Sequence, residues 1–169
     1  METSTISEVA RMNNTYHAEC FDKNGVFKWK ESSPNMVVDQ GIYYILLAGF
    51  VYDERYQWFC GLVESGTPAA TDTPQSHPGW VEYNGWVNIN RPALEFYIKP
   101  EHTARKALTS NVVQFVSGTT TQISGAYMVS EQEKGSTEGT LYGVSNFSSP
   151  KEIIPGDAIN ITIELGATG

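Results

Sequence analysis

Pro155-Gly156-Asp157-Ala158-Ile159-Asn160-Ile161-Thr162-Ile163-Glu164-Leu165 is the stretch whose reading decides the fold. Isoleucines at 159, 161 and 163 alternate with Asn160, Thr162 and Glu164, a period of two that sends each set to its own face of a strand. One face is apolar and the other polar, as in a half-buried antiparallel sheet. Just before it, Pro155 and Gly156 supply the fixed φ and the positive φ of a type II turn.

The same grammar extends outward. Tyr16 to Phe21, Val26 to Lys30, Trp58 to Val63, Leu94 to Ile98, Val112 to Val116, Gln122 to Val129 and Gly139 to Val144 read as further short strands, separated by Gly, Asn, Asp and Pro. Asn24-Gly25 marks a tight hairpin between the first two. In Val26 to Lys30 the alternation puts Phe27 and Trp29 on a core face and Lys28 and Lys30 on the other. Gly41 to Leu47 fits either a buried strand or a short helix showing Ile42, Ile45 and Leu46 inward. Glu64 to Pro78, rich in Gly, Pro, Thr and Ala, reads as a long loop, and loops of that length usually have a task. Glu133 to Thr137 reads as a polar hairpin loop. The expected fold class is all-β: an antiparallel β-sandwich, jelly-roll-like, with one or two short helices. Residues 1–14 are expected to be an N-terminal arm, with Ser4 a candidate helix cap, and 15–169 a single sandwich domain.

Composition supports a self-sufficient core. In 169 residues, 40% are apolar and only 18% charged, which argues against disorder outside the termini. The net charge of −8 opposes binding to phosphate backbones, so no nucleic-acid partner is expected. Met1-Glu2-Thr3-Ser4 lacks the basic-then-apolar pattern of a secretory signal. The most apolar run, Gly41 to Val51, is about half of the roughly 20 residues of a spanning helix, so no membrane partner is expected. Cys20 and Cys60 show no metal or redox spacing and are expected to be reduced and buried on strands, although sequence leaves their pairing open.

Reactive chemistry finds little support in the spacing. His17, His77 and His102 are not placed to converge on a metal from one element, and no cofactor is expected. There is no G-x-S-x-G elbow, phosphate-binding loop or dinucleotide fingerprint. Adjacent acids such as Asp53 and Glu54 read as solvated turns rather than as a glycosidase pair. Trp29 and Trp58 lie on alternating strands and read as core. Trp80, Tyr83 and Trp86 follow the long loop, where two readings stand: an aromatic cluster that anchors the loop, or a contact surface for another subunit or a capsid. Exposed indoles at 80 and 86 would also suit a carbohydrate-binding module.

Several landmarks recur in order. They are Asn24-Gly25 with Trp29; Asn35-Met36-Val37-Val38-Asp39-Gln40-Gly41 before Leu46-Leu47; Trp58-Phe59-Cys60-Gly61-Leu62; and Ser76-His77-Pro78-Gly79-Trp80-Val81-Glu82-Tyr83. Arg91-Pro92-Ala93, Gly125 to Ser130, Gly139-Thr140-Leu141-Tyr142 and Gly156 to Ile161 complete the set. In these the chain resembles a family of small virion structural proteins of tailed bacteriophages, over nearly all of Thr15 to Leu165. The resemblance implies a particle component without catalytic residues. The expectation is a capsid decoration protein on the outer surface of the virion, with the major capsid protein as partner and a homo-oligomeric state. A tail, fibre or head-tail connector component is the alternative. In that setting Ile6, Val9 and Met12 of the arm are candidate contacts, beside Trp80, Tyr83 and Trp86.

Overall fold

The computed structural model describes residues 11–51, 55–98 and 107–168. Among these lie twelve strands and one helix: β1 (Arg11–Met12), β2 (Thr15–Phe21), β3 (Phe27–Val37), α1 (Asp39–Phe50), β4 (Trp58–Gly66), β5 (Trp80–Tyr83), β6 (Ala93–Leu94), β7 (Phe96–Tyr97), β8 (Ala107–Ser110), β9 (Val113–Val116), β10 (Thr121–Val129), β11 (Leu141–Ile153) and β12 (Ala158–Thr168). All pairings between these strands are antiparallel. They follow one continuous path, β5-β4-β10-β11-β3-β2-β12-β8-β7, with β6 on β4 and both β1 and β9 on β12.

The all-β antiparallel class is therefore as expected, built as a single sheet curled into a half-barrel. β3 produces the curl. Its first part, Phe27 to Pro34, pairs with β2, whereas Asn35 to Val37 pair with Ser145 to Gly143 of β11, so one strand serves two limbs. Side chains from both limbs share one core. Tyr16, Ala18 and Cys20 of β2 and Ile159, Ile161 and Ile163 of β12 cluster with Cys60 and Leu62 of β4 and with Ile123, Ala126 and Met128 of β10. Full burial of an isoleucine contributes about 1.5–3 kcal/mol relative to exposure, so the three of β12 alone tie that strand firmly inward.

Turn chemistry falls where the sequence puts it. Ile154 accepts from the Asp157 N–H at 3.0 Å across Pro155-Gly156, and Gly156 has φ +90°. At the first hairpin the Gly25 N–H donates to the Asp22 carbonyl at 2.9 Å, and Asp22 and Val26 close the loop at 2.8 Å. The loop thus spans three residues rather than two, with Gly25 at φ +80° taking the left-handed position. The Asp22 carboxylate accepts from the N–H groups of Val26 and Asn24, which hold its pKa below the usual value.

Several expectations need correction. A bulge breaks the β2–β3 register: Cys20 faces Trp29 while Phe21 faces Phe27, leaving Lys28 as the extra residue. Phe27 is consequently exposed, Trp29 packs against the core, and Lys28 bonds to the buried Asp157. β1 also joins the sheet, since Arg11 and Met12 pair with Thr168 and Ala167, and the buried Asn14 that follows donates to the Tyr142 hydroxyl.

Gly41 to Leu47 is helical. Of the three side chains expected inward, only Ile45 packs against the core; Ile42 and Leu46 are exposed. The reason is a close approach: a Cβ at Gly41 would run into the backbone carbonyl of Tyr142. The helix therefore seats Gly41 on β11, with Ile45 on the same side, and turns Ile42 and Leu46 away. Its start is held by the Val38 N–H on Tyr142 O (3.1 Å), the Leu141 N–H on Gln40 Oε1 (3.0 Å) and the Asp39 N–H on Ala70 O (2.8 Å). The last of these comes from the loop after β4, which has a structural task. Among the described residues no helix is long and apolar enough to cross a membrane.

Candidate functional site

Of the residues singled out in the sequence, Ile6 and Val9 lie outside the described residues. Met12 is exposed on β1. Trp80, Tyr83 and Trp86 are brought together with the core and are all buried. Within the single chain these three therefore pack as a loop-anchoring cluster does: pairing of β5 with β4 carries Trp80 and Tyr83 under neighbouring chain, and Trp86 bridges Ser117. The Trp80 indole N–H donates to buried Asp72 at 3.0 Å, which also accepts from the Ala69 N–H at 2.7 Å, and the ring stacks on His77. Tyr83 Oη bonds Ser117 at 2.8 Å and Thr119 at 3.0 Å. Trp86 meets the Phe115 ring edge-to-face, and Lys134 lies over its indole while donating to the carbonyls of Trp86 and Asn88. With both indoles covered, the sugar-stacking platforms required of a carbohydrate module are not offered at these positions.

Beside this cluster is a buried ionic node. Arg91 Nε and Nη2 donate to the two oxygens of Glu82, each at 3.0 Å, in the forked geometry that suits guanidinium and carboxylate. Arg91 also donates to Tyr127 Oη (2.9 Å), Glu131 O (2.9 Å) and Ser136 O (3.3 Å), and Tyr127 Oη donates to Glu82. Burial alone would lower the Arg91 pKa, but the hydrogen bond and charge of the Glu82 carboxylate, with the Tyr127 hydroxyl oxygen beside them, carry it above its ordinary value. Burial raises the Tyr127 phenol well above the usual range, and the Glu82 carboxylate raises it further. The node is therefore a fixed ion pair that joins β5, β10 and the 131–136 turn. The cavity against it is about 20 Å³, roughly room for one water. Every member sits within the quoted landmarks or one turn from them, yet sequence does not reveal that they meet.

A second polar group was invisible in sequence. On the outer face of the β3-β2-β12 limb, His17 Nδ1 lies 2.8 Å from Ser32 Oγ, and His17 Nε2 lies 3.6 Å from a Glu164 oxygen. They line an open groove of about 670 Å³ with Glu19, Lys30 and Thr162. Positions 17, 32 and 164 converge because Ser32 and Thr162 flank His17 on adjacent strands. The order of groups resembles a nucleophile, a base and an orienting acid, but β2 lies between two paired strands, so its backbone N–H groups serve the ladder rather than a developing oxyanion. What the groove offers is a polar, hydrogen-bonding cross-strand ladder.

Both thiols are free and buried, as expected. Burial first, and then the Asp157 carboxylate, push Cys20 up to about 11, and burial raises Cys60 further still. Neither is poised as a nucleophile.

The large side chains turned to water form the remaining feature. Among them are a run on α1 and the pair Val87 and Ile89 that project from the loop after β5. Comparison with protein-family models, with curated proteins and with solved structures finds no match to this chain.

Proposed function

We propose that the chain is a non-enzymatic structural component of a tailed-bacteriophage particle, acting as a decoration protein on the outer capsid surface with the major capsid protein as its partner. The observation that carries this reading is how the landmark residues are used. Trp80, Glu82, Arg91 and Tyr127 meet inside the molecule and brace the 84–92 loop, leaving Val87 and Ile89 held out to water. A braced apolar loop loses little freedom when a partner covers it. The charge of −8 favours the outside of a DNA-filled shell, where nothing need approach phosphate. A protein that binds only the assembled lattice stabilises it by mass action, and several linked copies strengthen the effect. On the same reading the two limbs of the curled sheet are the layers of a jelly-roll-like sandwich, supported by the core they share.

Quantitative mass spectrometry of purified particles tests this. A copy number comparable with that of the major capsid protein is expected, and Ile89→Asp should lower it while the chain still folds. A copy number in the range of tail components would replace decoration by a tail, fibre or connector role. Absence from the particle would end the proposal.

A further inference from the structure

We infer that the outward face of α1 is a self-association surface, covered by a second copy of this chain packed helix against helix about a two-fold axis. Ile42, Leu46 and Phe50 recur at i, i+4 and i+8, with Tyr43 beside them on the same side. They are 47%, 52%, 85% and 63% exposed, and Val51 at the helix end is 64% exposed. From Gln40 to Val51 there is no Asp, Glu, Lys or Arg. A helix apolar on all sides belongs in a buried setting, and here the sheet covers only the Gly41 and Ile45 side.

Area and charge select the occupant. Taking roughly 150–250 Å² for each of these side chains, the aromatic range, the fractions leave on the order of 500–800 Å² in water. That lies at or above the upper end of the ~300–600 Å² of the largest patch on a typical monomer and approaches the ~800 Å² per partner of a stable pair. Each copy carries −8, so two copies repel unless they meet where charge is missing, and α1 provides such a stretch. It offers no charges by which a differently charged partner would be chosen.

Two-fold symmetry also suits the shape of the face. In an antiparallel pair centred near Leu46, Phe50 of one copy meets Ile42 of the other. Tyr43 then lies over Gly49, whose Cβ position is open. The helix dipoles run in opposite directions, which favours the pairing.

The inference concerns the purified chain in solution, so its failure and that of the virion proposal are distinguishable. Sedimentation velocity of the full chain over a concentration series should show a monomer–dimer equilibrium that strengthens with salt, because screening relieves repulsion between like-charged copies. Leu46→Glu and Phe50→Glu should each weaken the dimer by at least roughly 30-fold, as expected of a central contact. Val87→Glu should leave it unchanged, with circular dichroism verifying the fold of all three. A monomer at every concentration, or a dimer indifferent to both α1 substitutions, overturns the inference. It is also overturned if the full chain is monomeric and removal of residues 2–10 permits pairing, since the chain's own N-terminal segment would then be the occupant.

Discussion

Two regions that pack on the paired strands β10 and β11 differ in what they do with their aromatic and aliphatic side chains. In the segment from Trp80 to Arg91, three aromatics and an ion pair are packed inside, against Tyr127, Phe115 and the 131–136 turn. In α1, seated on Tyr142, Gly41 faces the body while Ile42, Leu46 and Phe50 face water. Both regions look rich in contact-forming residues. The difference lies in strand register: β5 is drawn under its neighbours by pairing with β4, whereas α1 touches the sheet along one narrow line.

The sharpest way to break this contrast is at Arg91. Arg91→Met leaves the Glu82 carboxylate buried without its partner and should cost about 3–5 kcal/mol in urea unfolding. Adding Glu82→Gln should recover part of that loss, because the uncompensated charge is then gone. A single-variant loss below about 1 kcal/mol would mean that the node is wetter than its geometry implies.

A second test asks how dry the shared interior is. Cys20 is pushed up to about 11 from an ordinary thiol value of 9.0, chiefly by burial. Its folded pKa is the higher one, so its contribution is fully present below the unfolded value and is lost as pH rises through the folded one. Urea midpoints should therefore fall across that alkaline window, and Cys20→Ala should show a shallower fall. Equal slopes would remove Cys20 from the alkaline response.

The smallest effect is expected on α1. Leu46→Ser, measured on dilute chain where pairing is absent, should cost no more than about 1 kcal/mol in unfolding stability, since half of the side chain already stands in water. A loss of 2 kcal/mol or so, the scale of a buried leucine, would place that face inside the molecule and erase the contrast.

Much of the fold was legible because it is local. The alternation in Ala158 to Leu165, the turns at Pro155-Gly156 and Asn24-Gly25, and the burial of Cys20 and Cys60 follow from period, turn chemistry and the apolar character of thiols. The bulge at Lys28 was not legible, because the residue it frees meets Asp157, 129 positions away. The candidate site was less readable still: the residues Trp80, Tyr83 and Trp86 stood out by type, but type does not separate an anchor from a contact.

The sequence by itself determined the antiparallel β class, the acidic character and the strand-and-turn rhythm, since each depends on neighbours along the chain. Only the tertiary structure decided which apolar residues face outward, that Arg91 finds Glu82 and Tyr127, and that His17, Ser32 and Glu164 share a groove. Those outcomes depend on which strands become neighbours in space. One residue of register reverses every side chain on a strand, and a single close contact, such as Gly41 on Tyr142, sets the face that a helix presents.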